Sequence, residues 1–395
     1  MSVLHDLQKL LRENLRDYGM FIALGIIFVF FTIKTPNQSF LSGRNLVNLV
    51  NQAGYIAVLA VGMTLVIVIR HIDLSVGFLA GFLGALAAIA MVQWELPVYI
   101  VIPLILFFGI LAGLLTSFLV ATLGIPAFVA TLAGWLGYRG ALQLATRSTG
   151  TIVIPNETFN AMGSGFVPDF ITVSFLPERH KVTLLLGLIG IFLYVFNAIR
   201  SRRRSGRAQV DDLSTPLFVA RLALISLLIG GMAWILSGYQ GLSWTAVIVL
   251  IVVIIYDFVT RRTVLGRHIY AVGGNPEAAE LSGISVTRVT QVVFASMGML
   301  AALSGMLYAA RLRSATTTAG NLFELDAIAA AFVGGVSAAG GVGSVVGSIV
   351  GALVMISLTN GMNLMGADIS LQYIVRALVL AGAVIFDVAT RRTSQ

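Results

Sequence analysis

Long runs without a charged residue constrain the fold of this chain more than any other feature. Residues 76–94, 96–138 and 222–256 contain no Asp, Glu, Lys or Arg. A helix needs about 20 apolar residues to span the hydrocarbon core of a bilayer, so residues 96–138 are long enough for two crossings. Of all 395 residues, 58% are hydrophobic and 11% are charged. Soluble domains carry about 25% charged residues, so the sequence predicts an all-α polytopic membrane protein.

Twelve apolar segments predict about 10–12 transmembrane helices, including broken or half-helices. Residues 327–336 are too short to cross alone, which predicts a half-helix that enters a Gly-rich turn. Residues 81–86 resemble residues 348–353, and either a two-repeat transporter core or small-residue helix packing explains this similarity. The twelve segments lie near residues 20–33, 54–69, 76–92, 98–120, 125–144, 182–198, 216–236, 244–260, 289–310, 327–336, 345–359 and 373–388.

The placement of Lys and Arg predicts the orientation. Twelve crossings put both termini on one side. If that side is the cytoplasm, 15 Lys and Arg residues lie inside and 9 lie outside. Cytoplasmic loops carry the excess of positive charge, so both termini are predicted to be cytoplasmic. The same distribution explains the net charge of +8 without nucleic acid.

The predicted organisation has three parts. Leucines at helical spacing predict that residues 1–19 form an amphipathic helix on the membrane surface, with a solvated tail as the alternative. Residues 20–390 form one transmembrane domain, which includes a cytoplasmic loop at residues 261–288. Residues 391–395 form a cytoplasmic tail.

Several classes of chemistry lack the residues that they need. The lysines are Lys9, Lys34 and Lys181, and none follows a Gly as a phosphate-binding P-loop requires. The chain has no Cys and its four His residues are scattered, so neither a metal site nor a catalytic constellation is indicated. We therefore predict a protein that is not an enzyme and holds no metal or cofactor. Ionisable residues fall almost entirely at the ends of the apolar segments, which argues against a self-powered carrier.

The loop at residues 261–288 contains a short helix with clear boundary signals. Asn275 is a candidate N-cap, Pro276 suits the first helical position, and Glu277 and Glu280 favour the positive N-terminal end. This helix is either an inert interfacial linker or a surface that fits a groove on a soluble partner. The remaining residues of the segment are Ala278, Ala279, Leu281, Ser282 and the terminating Gly283.

Two further segments place carboxylates where apolar helices begin. Asp73 and Ser75 precede residues 76–92, and Glu324 and Asp326 begin the predicted half-helix. Capping of the first turn is the default explanation, and a discontinuous helix that lines the path of a polar solute is the alternative. Further candidates for such a path are polar or aromatic residues near helix ends, for which helix packing is the alternative: Asn51, Gln52, Phe128 and Thr131.

Three motifs carry a resemblance to a known family. Residues 72–77 have the sequence I-D-L-S-V-G, and residues 273–284 have G-G-N-P-E-A-A-E-L-S-G-I. Residues 319–330 have A-G-N-L-F-E-L-D-A-I-A-A, followed at residues 334–343 by G-G-V-S-A-A-G-G-V-G. Together, in this order, they resemble the membrane permease of bacterial ATP-binding-cassette (ABC) importers for monosaccharides. The likeness extends over about residues 20–390.

The resemblance implies a fold like that of type II ABC importers and a function. The chain would be a permease subunit in the bacterial cytoplasmic (inner) membrane, importing xylose or several pentoses and hexoses. Its implied partners are a second permease copy, a periplasmic sugar-binding protein, membrane lipid and a cytoplasmic ATPase. That ATPase would hold ATP and Mg²⁺ and contact residues 275–283. The alternatives are the same architecture for another solute, such as a branched-chain amino acid or a nucleoside, or a self-powered carrier.

One departure from the shorter ribose-type members of the family concerns two additional spans. Residues 182–198 and 216–236, with the basic residues 200–207 between them, are more similar to the xylose or multiple-sugar branch. The resemblance assigns no role to this additional pair.

Overall fold

A computed structural model describes residues 15–171, 176, 178–205 and 215–392. Its two strands, β1 (Thr151–Val153) and β2 (Ser314–Thr316), form one antiparallel pair. A 3-10 segment (Pro36–Leu41) and a π-helical turn (Phe118–Thr122) interrupt the chain of α-helices. The helices are α1 (Leu15–Lys34), α2 (Gly43–Val68), α3 (Val76–Val92), α4 (Val98–Ser117), α5 (Ala127–Ala145), α6 (Glu157–Ser164), α7 (Lys181–Ser205), α8 (Thr215–Ser237), α9 (Trp244–Arg262), α10 (Val264–Gly274), α11 (Pro276–Leu281), α12 (Val286–Leu312), α13 (Phe323–Val333), α14 (Val345–Leu364) and α15 (Ile369–Arg392).

Within the described part of the chain, eight helices are long and apolar enough to cross a membrane: α2, α4 with its π-helical turn, α7, α8, α9, α12, α14 and α15. The other four predicted spans fall in α1, α3, α5 and α13. Helix α13 has 11 residues, about 16 Å at 1.5 Å per residue, so it is a half-helix as predicted. The chain is thus an all-α polytopic membrane protein, and its half-helix α13 ends where Gly334 and Gly335 follow a short apolar segment.

Helices α2, α12 and α14 form the centre of the bundle. In their most apolar windows, 78%, 67% and 72% of residues are buried. Close approach depends on glycine: a Cβ at Gly298 of α12 would collide with the carbonyl oxygen of Gly109 in α4, and one at Gly351 of α14 would collide with that of Ala330 in α13. Small residues let helix backbones approach closely, which is how membrane helices gain packing energy.

The additional pair of spans, α7 and α8, lies at the periphery. Only 11% and 6% of their most apolar windows are buried, and the two helices pack mainly against each other. Arg179 lies over the ring of Trp234 at 4.2 Å, and Arg202 lies over the ring of Phe218 at 4.4 Å. These cation–π contacts connect the pair at both of its ends.

The bundle has two distinct ends, joined by the 27-residue α12. The α11 end carries α10, α11, Arg70 and the Gly-rich loop of residues 334–344. The hairpin end carries β1, β2 and α6. The segment between α5 and α7 supplies β1 and α6 there, and Asn156 caps α6 by accepting a hydrogen bond from the Phe159 N–H at 3.0 Å.

The predicted terminal parts are only partly described. Residues 1–14 of the predicted amphipathic helix lie outside the described residues, and residues 15–19 belong to α1. Helix α15 continues to Arg392, and the rest of the predicted tail, residues 393–395, also lies outside. Both assignments stay predictions.

Candidate functional site

At the α11 end, hydrogen bonds connect three segments that are far apart in sequence. Arg70, which follows α2, donates from Nε to the carbonyl oxygen of Gly273 at 2.7 Å and from Nη2 to that of Gly274. The Gly341 N–H donates to the Val68 carbonyl oxygen at 2.8 Å, and the Tyr270 hydroxyl to that of Gly343 at 2.7 Å. The end of α2, helix α10 and the Gly-rich loop are therefore held as one unit.

Helix α11 has the local structure that its sequence predicts. The Asn275 side chain accepts a hydrogen bond from the Ala278 N–H at 3.1 Å, and Pro276 begins the helix. Ala279 is buried, whereas Glu277, Glu280 and Leu281 are exposed, Leu281 to 90%. Beyond the helix, the Ser282 hydroxyl donates to the Ala278 carbonyl oxygen at 2.8 Å, and Gly283 has a φ of 83°. A short helix with one buried face thus presents acidic and apolar side chains outward.

The bonds of Arg70 give a testable prediction about this unit. In Arg70→Ala, the Gly273 and Gly274 carbonyl groups lose a charged donor, a bond type that contributes about 1.5–3 kcal/mol. We expect faster hydrogen–deuterium exchange in residues 264–281, measured by mass spectrometry in detergent, with little change in α14. Arg288→Ala, which removes an exposed arginine after α11, is the control. Equal exchange in the two variants would show that Arg70 does not hold α10.

A second site is a buried polar cluster where α3 and α13 begin. Asp73 Oδ1 accepts hydrogen bonds from the Ser75 N–H at 2.9 Å and from the Ser75 hydroxyl at 2.6 Å. Glu324 Oε1 accepts from the Trp135 indole N–H at 2.9 Å, and the Thr131 hydroxyl approaches the Ile72 carbonyl oxygen at 3.4 Å. Glu324 also lies against Gly77, where a Cβ would collide with its carboxylate. Four predicted path residues therefore converge here: Asp73, Ser75, Thr131 and Glu324.

The default explanation of the carboxylates as helix caps is wrong. Ser75, not Asp73, occupies the N-cap position of α3, and Asp73 instead bonds to Ser75 in a local turn. Leu322 is the N-cap of α13 and makes no side-chain capping bond. Glu324 is engaged by an indole from α5, and Asp326 forms an ion pair with Arg376 of α15. The two carboxylates of α13 bond to side chains of other helices because the half-helix starts inside the bundle.

Several ionisable residues near the ends of the apolar segments are nevertheless enclosed within the bundle. The Asp326 and Arg376 side chains are only 14% and 19% exposed, and both lie within helices of the bundle. Asp73 and Glu324 are 3% and 4% exposed. The short α13 begins within the bundle, so residues near the end of this apolar segment are still enclosed by its neighbours.

The other predicted path residues do not join this cluster. Phe128 is 62% exposed on α5. Asn51 is buried in α2 and lines a separate cavity at the hairpin end, and its neighbour Gln52 is half-buried.

Sequence reasoning missed three side chains that hold the two sites: Arg70, Trp135 and Arg376. An arginine inside the apolar segment of residues 373–388 was the available signal for Arg376. Trp135 and Glu324 are 189 residues apart, and no local pattern connects them.

Comparison with known proteins identifies the family. The family described as "Branched-chain amino acid transport system / permease component" matches residues 45–384. No solved structure matches the chain significantly.

Several relatives match over nearly their whole length. The "Xylose transport system permease protein XylH" of Escherichia coli is 40% identical over 383 residues, which are 96% of this chain and 94% of that protein. Its namesake from Haemophilus influenzae is 37% identical over 385 residues, covering 97% and 99%. The "Ribose import permease protein RbsC" of Haemophilus influenzae is 34% identical over 370 residues, covering 93% and 91%. The chain belongs to the family of ABC importer permeases that includes these xylose and ribose permeases.

Proposed function

We propose that this chain is the translocation subunit of an ABC importer for xylose or a closely related monosaccharide. The observation that carries the proposal is its similarity to two xylose permeases over nearly the full length of both, at 40% and 37% identity. The ribose permease is less similar, at 34%. The family description refers to branched-chain amino acids, but these full-length relatives are sugar permeases.

The proposed assembly contains two copies of this chain in the bacterial inner membrane, with both termini in the cytoplasm. A periplasmic binding protein delivers the sugar, and a cytoplasmic ATPase dimer with ATP and Mg²⁺ supplies the energy. The assignment of ATP hydrolysis to a separate subunit fits a chain whose sequence has no P-loop. The positive charges favour a cytoplasmic α11 end, because Arg261, Arg262, Arg267 and Arg288 flank α10 and α11.

Helix α11 is the proposed contact with the ATPase. It projects two carboxylates and an almost fully exposed leucine, and Arg70 connects its base to the end of α2. Closure of an ATPase dimer would displace α11 and, through these bonds, the broken segments beside Asp73 and the Gly-rich loop. Such a displacement opens the path alternately to the two sides of the membrane.

The cluster of Asp73, Ser75, Thr131 and Glu324 is the proposed polar lining near the path. Transporters place their polar sites where helices are discontinuous, because the freed backbone and side-chain groups are available there. Helices α3 and α13 begin at this cluster.

An uptake assay tests the substrate. Proteoliposomes that contain the chain, its ATPase and its binding protein should accumulate labelled xylose only with ATP, and should take up ribose and galactose less well and leucine not at all. Accumulation of leucine but of no sugar would show that the importer carries amino acids and not monosaccharides. Uptake by the chain alone, without the ATPase, would instead establish a self-powered carrier. This alternative must be tested because such carriers hold ionisable residues inside the membrane, and this chain has buried ones.

The double variant Glu277→Lys, Glu280→Lys tests the coupling helix. Both carboxylates are exposed, so the variant should still insert into the membrane and fold. We expect co-purification of the ATPase and sugar-stimulated ATP hydrolysis to fall at least tenfold, which corresponds to about 1.4 kcal/mol. Glu178→Lys, at an exposed acidic residue outside α11, is the matched control. Unchanged assembly and hydrolysis in the double variant would exclude α11 as the contact.

A further inference from the structure

The hairpin end contains a cavity of about 610 Å³ that belongs to neither site described above. It lies among the beginning of α2, the end of α6, residues 239–240 after α8, and the end of α14. Small-molecule sites have volumes of about 300–1,000 Å³, so the cavity is of a suitable size.

The wall of the cavity is polar but almost uncharged. Most of the described residues that line it carry hydroxyl or amide groups. Among these lining residues Arg44 is the one cation, and none is acidic. Arg44 is exposed to solvent, which weakens any attraction for an anion. A wall of this kind suits a neutral ligand with many hydroxyl groups, since hydroxyl and amide groups each donate and accept hydrogen bonds.

Asn51 is an unsatisfied polar group in this wall. Its side chain is 8% exposed, and among the described residues its Oδ1 atom has no hydrogen-bond partner. Rotation of the amide about its last side-chain torsion exchanges the positions of its oxygen and its amino group. A buried amide oxygen without a partner is unfavourable. Because Oδ1 is enclosed by protein in the conformation observed, the amide must rotate before its oxygen can accept a hydrogen bond from a ligand hydroxyl.

The neighbouring amides of α2 are already fixed in position. Asn48 Oδ1 accepts a hydrogen bond from Arg311 Nη2 at 2.9 Å, so its amino group is the group left to donate. Asn45 exchanges hydrogen bonds with Asn360 at 2.9 and 3.1 Å. Polar groups held by their own partners lose little freedom on binding a ligand, and this preorganisation favours affinity.

An aromatic pair completes the wall. The rings of Phe166 and Tyr239 lie edge to face, with centroids 6.3 Å apart. An aromatic face packs against the C–H groups of a sugar ring while amides bond to its hydroxyls. Tyr239 follows α8, so the additional pair of spans contributes directly to this cavity.

We propose that this cavity is a binding site for a neutral monosaccharide within a single copy of the chain, on the side from which sugar arrives. The choice of sugar and of side rests on the proposed function. Asn51, predicted above as a residue of the path, acts here as a hydrogen-bonding partner at an entry site. Tyr239 provides an apolar face, and the cavity raises the local sugar concentration before transport.

Saturation-transfer NMR on the full chain in lipid nanodiscs, without ATPase or binding protein, tests the proposal. Xylose should receive saturation from the protein, and L-leucine should not. Asn51→Leu keeps a similar side-chain size but removes the amide. Tyr239→Ala changes an exposed residue, so the fold tolerates this substitution more readily than the one at the buried Asn51. Each variant should bind xylose about five- to tenfold more weakly, as expected for the loss of one good contact. Gln93→Ala, at an exposed amide outside the cavity, should bind normally.

The proposal is overturned if no saturation is transferred to xylose, ribose or galactose. It is also overturned if wild type and Tyr239→Ala transfer saturation to xylose equally. If Tyr239→Ala loses only its association with the binding protein, the cavity is a protein contact and not a sugar site. ATP-dependent uptake by the complete complex is measured in parallel. Normal uptake without sugar binding to the cavity refutes this inference alone, whereas absence of sugar uptake refutes the proposed function.

Discussion

Arg376→Met should destabilise the chain strongly, by about 3–5 kcal/mol, because it leaves the carboxylate of Asp326 buried without its partner. The two side chains are mostly enclosed and connect the half-helix α13 to α15. We expect a large fall in the apparent melting temperature of the purified protein, followed by tryptophan fluorescence in detergent.

The double variant Asp326→Asn, Arg376→Met shows whether stability is lost because the ion pair is absent or because one buried charge is left without a partner. It removes both charges, so it should recover most of the lost stability. Arg313→Met is the matched control, since Arg313 and Glu157 also form an ion pair, at 3.2 Å, but are 56% and 75% exposed. An exposed pair contributes about 0–1 kcal/mol. Equal effects of Arg376→Met and Arg313→Met would show that the enclosed pair does not stabilise α13.

Gly298→Ala should be the second strongly destabilising change. A Cβ at this position of α12 would collide with the backbone carbonyl of Gly109 in α4, and backbone has little room to move. Overpacking of a core usually costs about 1–3 kcal/mol, and a contact between two backbones lies at the upper end of that range. The expected result is a lower apparent melting temperature and a smaller fraction of monodisperse protein in size-exclusion chromatography.

Gly25→Ala provides the comparison for this substitution. Gly25 also lies within a helix, α1, but a Cβ there would have no neighbour within 4 Å. Alanine favours helix over glycine by up to about 1 kcal/mol, so Gly25→Ala should leave stability unchanged or raise it slightly. If both variants lose the same stability, close packing of α12 on α4 is not the reason that position 298 requires glycine.

The additional spans α7 and α8 show what the sequence could and could not predict at the periphery of the bundle. Apolar length predicted α7 and α8 correctly, because lipid exposure demands a continuous apolar helix whatever the neighbours are. The contribution of Tyr239 to a cavity depends on its packing against Phe166, and the apolar length of a helix carries no information about that contact.

The sequence alone determined the features that depend on local chemistry or on the bilayer. Apolar runs located twelve helices of the bundle, of which eight in the described part of the chain are long and apolar enough to cross a membrane. A spanning helix satisfies its backbone hydrogen bonds within itself, so its apolar length is visible in the sequence. Asn275, Pro276 and Gly283 delimited α11, because capping and turn preferences act within a few residues.

The tertiary structure decided which polar groups meet. Asp326 pairs with Arg376, 50 residues away, and Arg70 bonds to carbonyl groups more than 200 residues away. The sequence favoured helix capping for a carboxylate at a helix start. In the structure, the carboxylates of α13 instead bond to side chains of neighbouring helices, because α13 begins inside the bundle. Within a low-dielectric interior, a charged or hydrogen-bonding group pairs with whatever partner the packing brings near, and only the folded chain specifies that partner.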